Sequence, residues 1–309
     1  KLKKEPEKTE FKCGFVAVVG KPNVGKSTLI NSLVGQKIAP VSTKPQTTRR
    51  RQLGIVTREN YQIIFVDTPG LHIPRHKLGE FLNQEAEASC EGVDVIVWIV
   101  DVSSMPDEED QKVASFLRSL TPLPPVIMAL NKVDLISREI LERRQPVFSR
   151  LFPEARLIPL SATRGDGREE LVEAIVDLLP AHPPEFPEDQ LTDLYERDIA
   201  ADLIREAVLH HLHQEVPHAV AVRIDEYKER GEGGAYIAAT IFVEKESQKA
   251  IVIGEGGQMI KKIGIMARRE IEAMSGRKVY LELRVKVLKN WRNNPAYLKR
   301  LGYKLLSRS

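Results

Sequence analysis

The sequence predicts two domains of different class: an α/β domain whose mainly parallel sheet carries helices on both faces, then a small α+β domain. Three observations predict this. The chain has 309 residues, more than one core usually serves. Short apolar runs alternate with helical periodicity through residues 15–179. Then "LLPAHPPEFPED", 178–189, places four prolines before a second pattern that starts with a helix and a hairpin.

The first run, "FVAVVG" at 15–20, is β-branched and ends in glycine, and helical spacing starts at Lys26 with Thr28, Leu29, Ile30 and Leu33. "QIIFVD" (62–67), "VIVWIVD" (95–101), "PVIMALN" (125–131) and "RLIPLSA" (156–162) are apolar on consecutive positions, as strands covered on both faces are. Helices are expected between them near 79–90, 107–119, 138–151 and 167–179. After the prolines, 193–213 reads as a long amphipathic helix. "AVAVRIDEYKE" (219–229) and "AYIAATIFVEK" (235–245) then form a hairpin around "RGEGG". A short helix (247–253), a glycine loop, a longer helix (257–274) and a strand, "KVYLELRVKVL" (278–288), complete the second domain. The expected boundaries are 12–180, a proline-rich linker at 181–192, and 193–309 with a basic, aromatic tail.

Hydrophobic residues make up 42% and charged residues 29%, as in ordinary soluble chains. No run reaches the roughly 20 apolar residues of a membrane span, the best candidate, Val93–Val102, being broken by Asp94 and Asp101. The first residues, "KLKKEPEKTEFKCG", have no apolar stretch of the secretory kind, so a cytoplasmic home is expected. Cys13 and Cys90 lack ligand spacing and read as ordinary thiols. A net charge of +3 hides an asymmetry. Residues 1–244 hold 30 basic and 38 acidic groups, whereas residues 245–309 hold 16 and 5. Such density at the end of the chain calls for a polyanionic partner.

"GKPNVGKS", 20–27, is G-x-x-x-x-G-K-S after a strand and opening a helix, a phosphate-binding loop in its required setting. The backbone of Gly20, Lys21, Pro22, Asn23, Val24 and Gly25 is expected to cradle phosphates, with Thr28 beside them. Lys26 reaches the β and γ phosphates, and Ser27 supplies a magnesium ligand. "DTPG", 67–70, follows another strand. Asp67 can hold magnesium, the Gly70 amide can sense the γ-phosphate, and Thr68, Pro69 and Leu71 belong to the same turn. "NKVD", 131–134, selects guanine, because the Asp134 carboxylate accepts from N1–H and the exocyclic amine, which adenine does not offer in that arrangement. Asn131 can tie this loop to the phosphate loop, and the Lys132 stem can lie over the purine. In "SAT", 161–163, Ser161 and Ala162 can turn a backbone amide to the guanine carbonyl.

With these four elements in order, the chain resembles the translation-factor-related GTPases, and an α/β P-loop GTPase domain is the implied fold. The resemblance places their second motif in "KPQTTRRR", 44–51, with Thr48 completing the magnesium shell of the GTP state and Thr47 a less favoured candidate. Lys26, Thr48 and Gly70 are thus the expected catalytic contributors. Leu71 stands where many GTPases carry the water-orienting Gln, so intrinsic hydrolysis is expected to be slow. His72 is nearby and is read as a bystander. Asn23 resembles the asparagine through which some such enzymes bind K+.

"VIGEGGQMIKKIG", 252–264, fits I-G-x-x-G-x-x-I, with Gly254, Glu255, Gly256 and Gly257 between two helices. It resembles the loop of KH domains, which clamps single-stranded nucleic acid, and the element order is that of type II. Lys261, Lys262, Arg268 and Arg269 suit phosphates, while Met259, Ile260, Ile263, Met266, Ala267 and Ile271 keep core spacing. Lys289, Trp291 and Arg292 read as a stacking and neutralising group, with a buried tryptophan as the competing reading. The combination resembles bacterial GTPases that end in a type II KH domain. That resemblance implies a GTP-hydrolysing switch using Mg2+, binding near the 3′ end of small-subunit ribosomal RNA, a role in assembly of the 30S particle, and peripheral contact with the inner membrane. A monomer is expected. A signalling GTPase whose last domain binds protein, or an RNA-binding module with GTP as a structural ligand, fits the same residues.

Overall fold

The computed structural model describes residues 10–42, 48–49, 51–71, 77–212, 216–230 and 234–303. Thr47, His72, the tip of the "RGEGG" turn and the chain beyond 303 lie outside them. The first half runs β1 (Lys12–Val19), α1 (Lys26–Val34), β2 (Gln52–Arg58), β3 (Tyr61–Asp67), α2 (Lys77–Ala88), β4 (Val95–Asp101), α3 (Glu108–Ser119), β5 (Val126–Asn131), α4 (Arg138–Leu151), β6 (Arg156–Pro159) and α5 (Arg168–Leu178). The sheet order is β2-β3-β1-β4-β5-β6, parallel except for β2.

Consecutive apolar positions are explained by the two faces. Val16 and Val18 pack toward Leu29 and Ile30 of α1 and Leu171 and Ile175 of α5. Ala17 and Val19 face the other way, toward Ala86, Val113, Leu117 and Phe148 of α2, α3 and α4. The strand order reverses beside β1, and the crevice past the carboxyl ends of the strands is where such sheets bind ligands. Strand β2 is the element of this half that the sequence reading lacks. Its "QLGIVTR" carries a glycine at mid-strand, and a Cβ on Gly54 would lie 2.6 Å from Ile30 Cγ2, so the residue that blurs the pattern is the one that admits α1.

The proline segment is fastened to the sheet rather than suspended. The Leu191 carbonyl accepts from the Ile55 amide at 2.8 Å and the Asp193 carboxylate from the Leu53 amide at 2.8 Å, which covers the β2 edge. Gln62 Oε1 accepts from the amides of Glu185 and Phe186 at 2.8 and 3.0 Å.

The second half runs α6 (Glu196–His211), β7 (Ala221–Arg230), β8 (Gly234–Val243), α7 (Glu246–Ile253), α8 (Gln258–Ser275), β9 (Lys278–Val287) and α9 (Pro295–Arg300). β8 pairs antiparallel with β7 and parallel with β9. Ile263, Ala267 and Ile271, one helical turn apart on α8, are fully buried with Leu203, Ile204 and Val208 of α6 against Ile237 and Ile241 of β8. Each isoleucine so buried contributes roughly 1.5–3 kcal/mol. The halves also share a core: Leu78, Phe81 and Leu82 of α2 pack with Phe242, Trp291, Leu298, Leu301 and Tyr303.

Candidate functional site

The loop after β1 turns on Gly20, Asn23 and Gly25, all at positive φ, and delivers Lys26 to the start of α1. The Lys26 ammonium is buried and donates to the carbonyls of Gly20 and Lys21 at 3.1 and 2.9 Å. Burial pushes its pKa down to about 8, against the opposing pull of Asp67. An ammonium held this way is short of counter-charge, as a phosphate site requires. Lys21 has a role that spacing does not reveal. Its side chain pairs with Asp107 and Asp110 at 2.7 and 2.8 Å, where Asp107 caps α3, so the phosphate loop is braced against that helix.

Ser27, Thr48 and Asp67 come from α1, the segment before β2 and the end of β3, and they meet. Ser27 Oγ lies 2.8 Å from Thr48 Oγ1 and donates to Asp67 Oδ2 at 2.9 Å. Gln52 Nε2 donates to the same carboxylate oxygen at 3.3 Å, a contact absent from the sequence reading. Asp67 is fully buried, and its Oδ1 has no protein partner among the described residues. Burial pushes this carboxyl up to about 6 despite Lys26 and three side-chain donors. Two hydroxyls and a carboxylate with an unused oxygen fit a hard, oxygen-seeking divalent cation such as Mg2+.

Thr68 Oγ1 donates to the Val18 carbonyl at 2.8 Å, and the Leu71 amide donates to the Gly20 carbonyl at 3.3 Å. Gly70 therefore lies on the phosphate loop, where a Cβ would sit 2.8 Å from Pro22 N and 3.0 Å from Pro22 Cα. Leu71 is itself buried.

Asn131, at the end of β5, donates to the Val24 carbonyl at 2.7 Å and accepts from the Ala162 amide at 2.9 Å, so one side chain joins the phosphate loop, its own loop and the loop after β6. Lys132, at φ 71°, pairs with Asp101 at the end of β4 at 2.5 Å. That pairing orients the lysine stem, and the partner was not foreseen. Asp134 lines the cleft. Ser161 Oγ lies 3.1 Å from Thr163 Oγ1, and the Ser161 amide donates to the Asp166 carbonyl. Because the Ala162 amide already serves Asn131, a guanine carbonyl would share it. Lys26, Ser27, Thr48, Gly70, Asn131 and Asp134 border one cleft of about 900 Å3, whose wall also includes Leu209 and His210 of α6, from the second domain.

The glycine loop joins α7 to α8 as expected. Gly254, at φ 75°, has no room for a side chain, since a Cβ would lie 2.6 Å from Met259 Cβ. Gly257, at φ 77°, caps α8 and faces open space within 4 Å, so a phosphate can approach the helix start. Glu255, Gly256, Lys261, Lys262, Arg268 and Arg269 are exposed, and Lys289 is too. Trp291 corrects the stacking expectation. It is fully buried, donates Nε1–H to the Ala219 carbonyl at 2.8 Å and stacks on Tyr303, leaving no face for a base. Arg292 is likewise engaged, both Nε and NH2 donating to Glu244 Oε2. A basic, aromatic tail misleads here because the aromatics close a core over α2.

Comparison with known proteins agrees with both halves. Residues 15–132 match the model of 50S ribosome-binding GTPases and residues 215–292 that of KH domains. GTPase Era of Geotalea uraniireducens (strain Rf4) is 46% identical over 294 residues, 95% of this chain and 98% of that protein. This chain belongs to the GTPase Era family. Era of Halothermothrix orenii is 47% identical over 296 residues, 95% of this chain and 99% of its own. The crystal structure of Era in complex with MgGDPNP and nucleotides 1506–1542 of 16S ribosomal RNA matches with a TM-score of 0.91 at 40% identity, covering 96% of this chain and all of that one. An Aquifex aeolicus Era variant bound to GDP·AlF4− matches equally, at 0.91 and 39%. Like its Era relatives, the chain is a GTPase with a KH domain, and among the described residues no helix is long and apolar enough to cross a membrane.

Proposed function

We propose that the chain is a GTP-controlled RNA-binding switch that engages single-stranded small-subunit ribosomal RNA near its 3′ end during 30S assembly. The observation that carries the reading is the match, over nearly all of both chains, to an Era structure that holds MgGDPNP and a 16S ribosomal RNA segment together. The functional units are taken as 12–180, 181–192 and 193–309. GTP lies in the cleft between Gly20 and Ala162, with Asp134 on the guanine and Lys26 on the phosphates. Ser27, Thr48 and Asp67 would hold Mg2+, which when bound would supply positive charge against the charge that develops on the phosphates.

The chain's own part in hydrolysis is positional and electrostatic. Lys26 would meet the β and γ phosphates, the loop amides would donate to their oxygens, and the Gly70 amide would donate to the γ-phosphate. With Leu71 buried at the position of the usual glutamine, no side chain there orients water, and the basal rate is slow. Asn23, on the cleft wall at φ 65°, is the residue for a K+ ion. On the RNA side, Gly256, Gly257 and the first turn of α8 take the backbone, with Lys261, Lys262, Arg268, Arg269 and Lys289 neutralising phosphates. The molecule works in the cytoplasm, with peripheral contact at the inner membrane.

Crosslinking of the full chain to total cellular RNA tests the reading. Recovery of the 16S 3′ end, lost in Gly257→Asp, is expected, and no RNA recovered with the unaltered chain would sink it.

A further inference from the structure

The segment that carries Thr48 is fastened to the second domain at both of its ends. At its entry, the Lys37 ammonium pairs with Glu206 of α6 at 2.8 Å and Glu270 of α8 at 2.7 Å, and the other Glu206 oxygen accepts from the Val41 amide at 3.2 Å. At its exit, Arg49 is only 3% exposed although it belongs to the nucleotide half of the chain. It donates to the Val220 carbonyl at 2.7 Å, more weakly to the His218 carbonyl and Tyr303 hydroxyl at 3.4 Å, and its guanidinium carbon lies 5.7 Å from the centre of the Trp291 ring.

That arrangement is costly for stability alone. A guanidinium removed from water loses its solvation, at a cost to stability unless charge and hydrogen bonds replace it. Here the replacements are neutral, Nε has no partner among the described residues, and no carboxylate among them pairs with the group. What the arrangement does supply is position. Thr48 precedes Arg49 directly, so about 3.8 Å separates their Cα atoms, and Thr48 Oγ1 sits 2.8 Å from Ser27 Oγ. Trp291 is a rigid seat, fixed by its Nε1 bond to Ala219 and by its stacking on Tyr303.

We propose that Arg49 is a positioning residue: docked between Val220 and Trp291 of the RNA-binding half, it holds Thr48 at the magnesium pocket. Competence for the GTP form then requires the 291–303 segment to be seated. The inference rests on the reading of Thr48 as a magnesium ligand of the GTP state. By reciprocity, any change at Trp291 and Tyr303 that alters GTP affinity is matched by an equal effect of GTP on their seating.

The test measures affinity of the full chain for GDPNP and for GDP at saturating Mg2+, in Thr48→Ala, Arg49→Ala, Arg49→Lys and Trp291→Phe. Arg49→Ala is expected to weaken GDPNP by about tenfold, within the range of known coupling energies, and to leave GDP within about twofold. Arg49→Lys should restore little, because an ammonium has neither the planar face nor the fork. Trp291→Phe keeps a ring and a fold but loses the indole anchor, and should weaken GDPNP by about threefold with GDP unchanged. Equal loss of both nucleotides in Arg49→Ala, or unchanged GDPNP in either Arg49→Ala or Trp291→Phe, overturns the inference. If Thr48→Ala loses GDPNP while those variants keep it, only the Arg49 role falls. If Thr48→Ala keeps GDPNP, the magnesium reading of Thr48 falls first.

Discussion

Asp67 offers the sharpest physical prediction. Its carboxyl is fully buried and pushed from 3.8 up to about 6. Magnesium needs the deprotonated group, so the apparent Mg2+ dissociation constant should scale as about 1 + 10^(6 − pH): close to its limit at pH 7 and about tenfold weaker at pH 5. The same shift acts on the ligand-free fold. A folded pKa above the unfolded value favours folding below about pH 4, and that advantage is lost as pH rises through about 6, amounting to about 3 kcal/mol. The assay is calorimetric titration of Mg2+ into the GDP-loaded chain from pH 8 to pH 5, with Asp67→Asn alongside. Nucleotide phosphates titrate in both proteins, so the difference between them isolates Asp67. A wild-type curve parallel to that of Asp67→Asn would refute the argument.

Gly70→Ala must push the turn off Pro22, whose nitrogen would lie 2.8 Å from the new carbon. A displacement near 1 Å should slow single-turnover GTP hydrolysis about 100-fold while GDP affinity holds, and an unchanged rate would mean that this turn does not act in hydrolysis. Asn131→Ala removes two buried hydrogen bonds and leaves the Ala162 amide and Val24 carbonyl short of partners, so GDP and GDPNP affinity should both drop, by about 2–4 kcal/mol; a loss confined to one nucleotide would contradict it. Hydrolysis should be faster in K+ than in matched Na+ buffer, and equal rates would remove the K+ role of Asn23.

Much of the nucleotide half was legible because each motif is local and is delivered by a strand whose apolar run is unmistakable. Asp67 closes "QIIFVD" and Asn131 closes "PVIMALN", so naming the strand named the rim of the site. What was not legible depends on long-range pairing. Lys21 meets Asp107 and Asp110, Lys132 meets Asp101, and Gln52 meets Asp67 through a strand that the sequence hid behind Gly54. For Trp291 the stacking reading gave way to the buried one for the same reason: charge and aromatic content favour a nucleic-acid surface, whereas α2 of the other half buries the ring. The glycine loop was readable as a motif, but only three-dimensional space separates Gly254, required by Met259, from Gly257, open to a phosphate.

We propose that the GTP site governs the RNA-binding half through the contacts of Glu206, Glu270 and Arg49. The direct measurement is the affinity of the full chain for a single-stranded RNA of the 16S 3′ end, taken with GDPNP and with GDP. Binding about tenfold tighter with GDPNP is expected, and equal affinities in the two states would contradict such control.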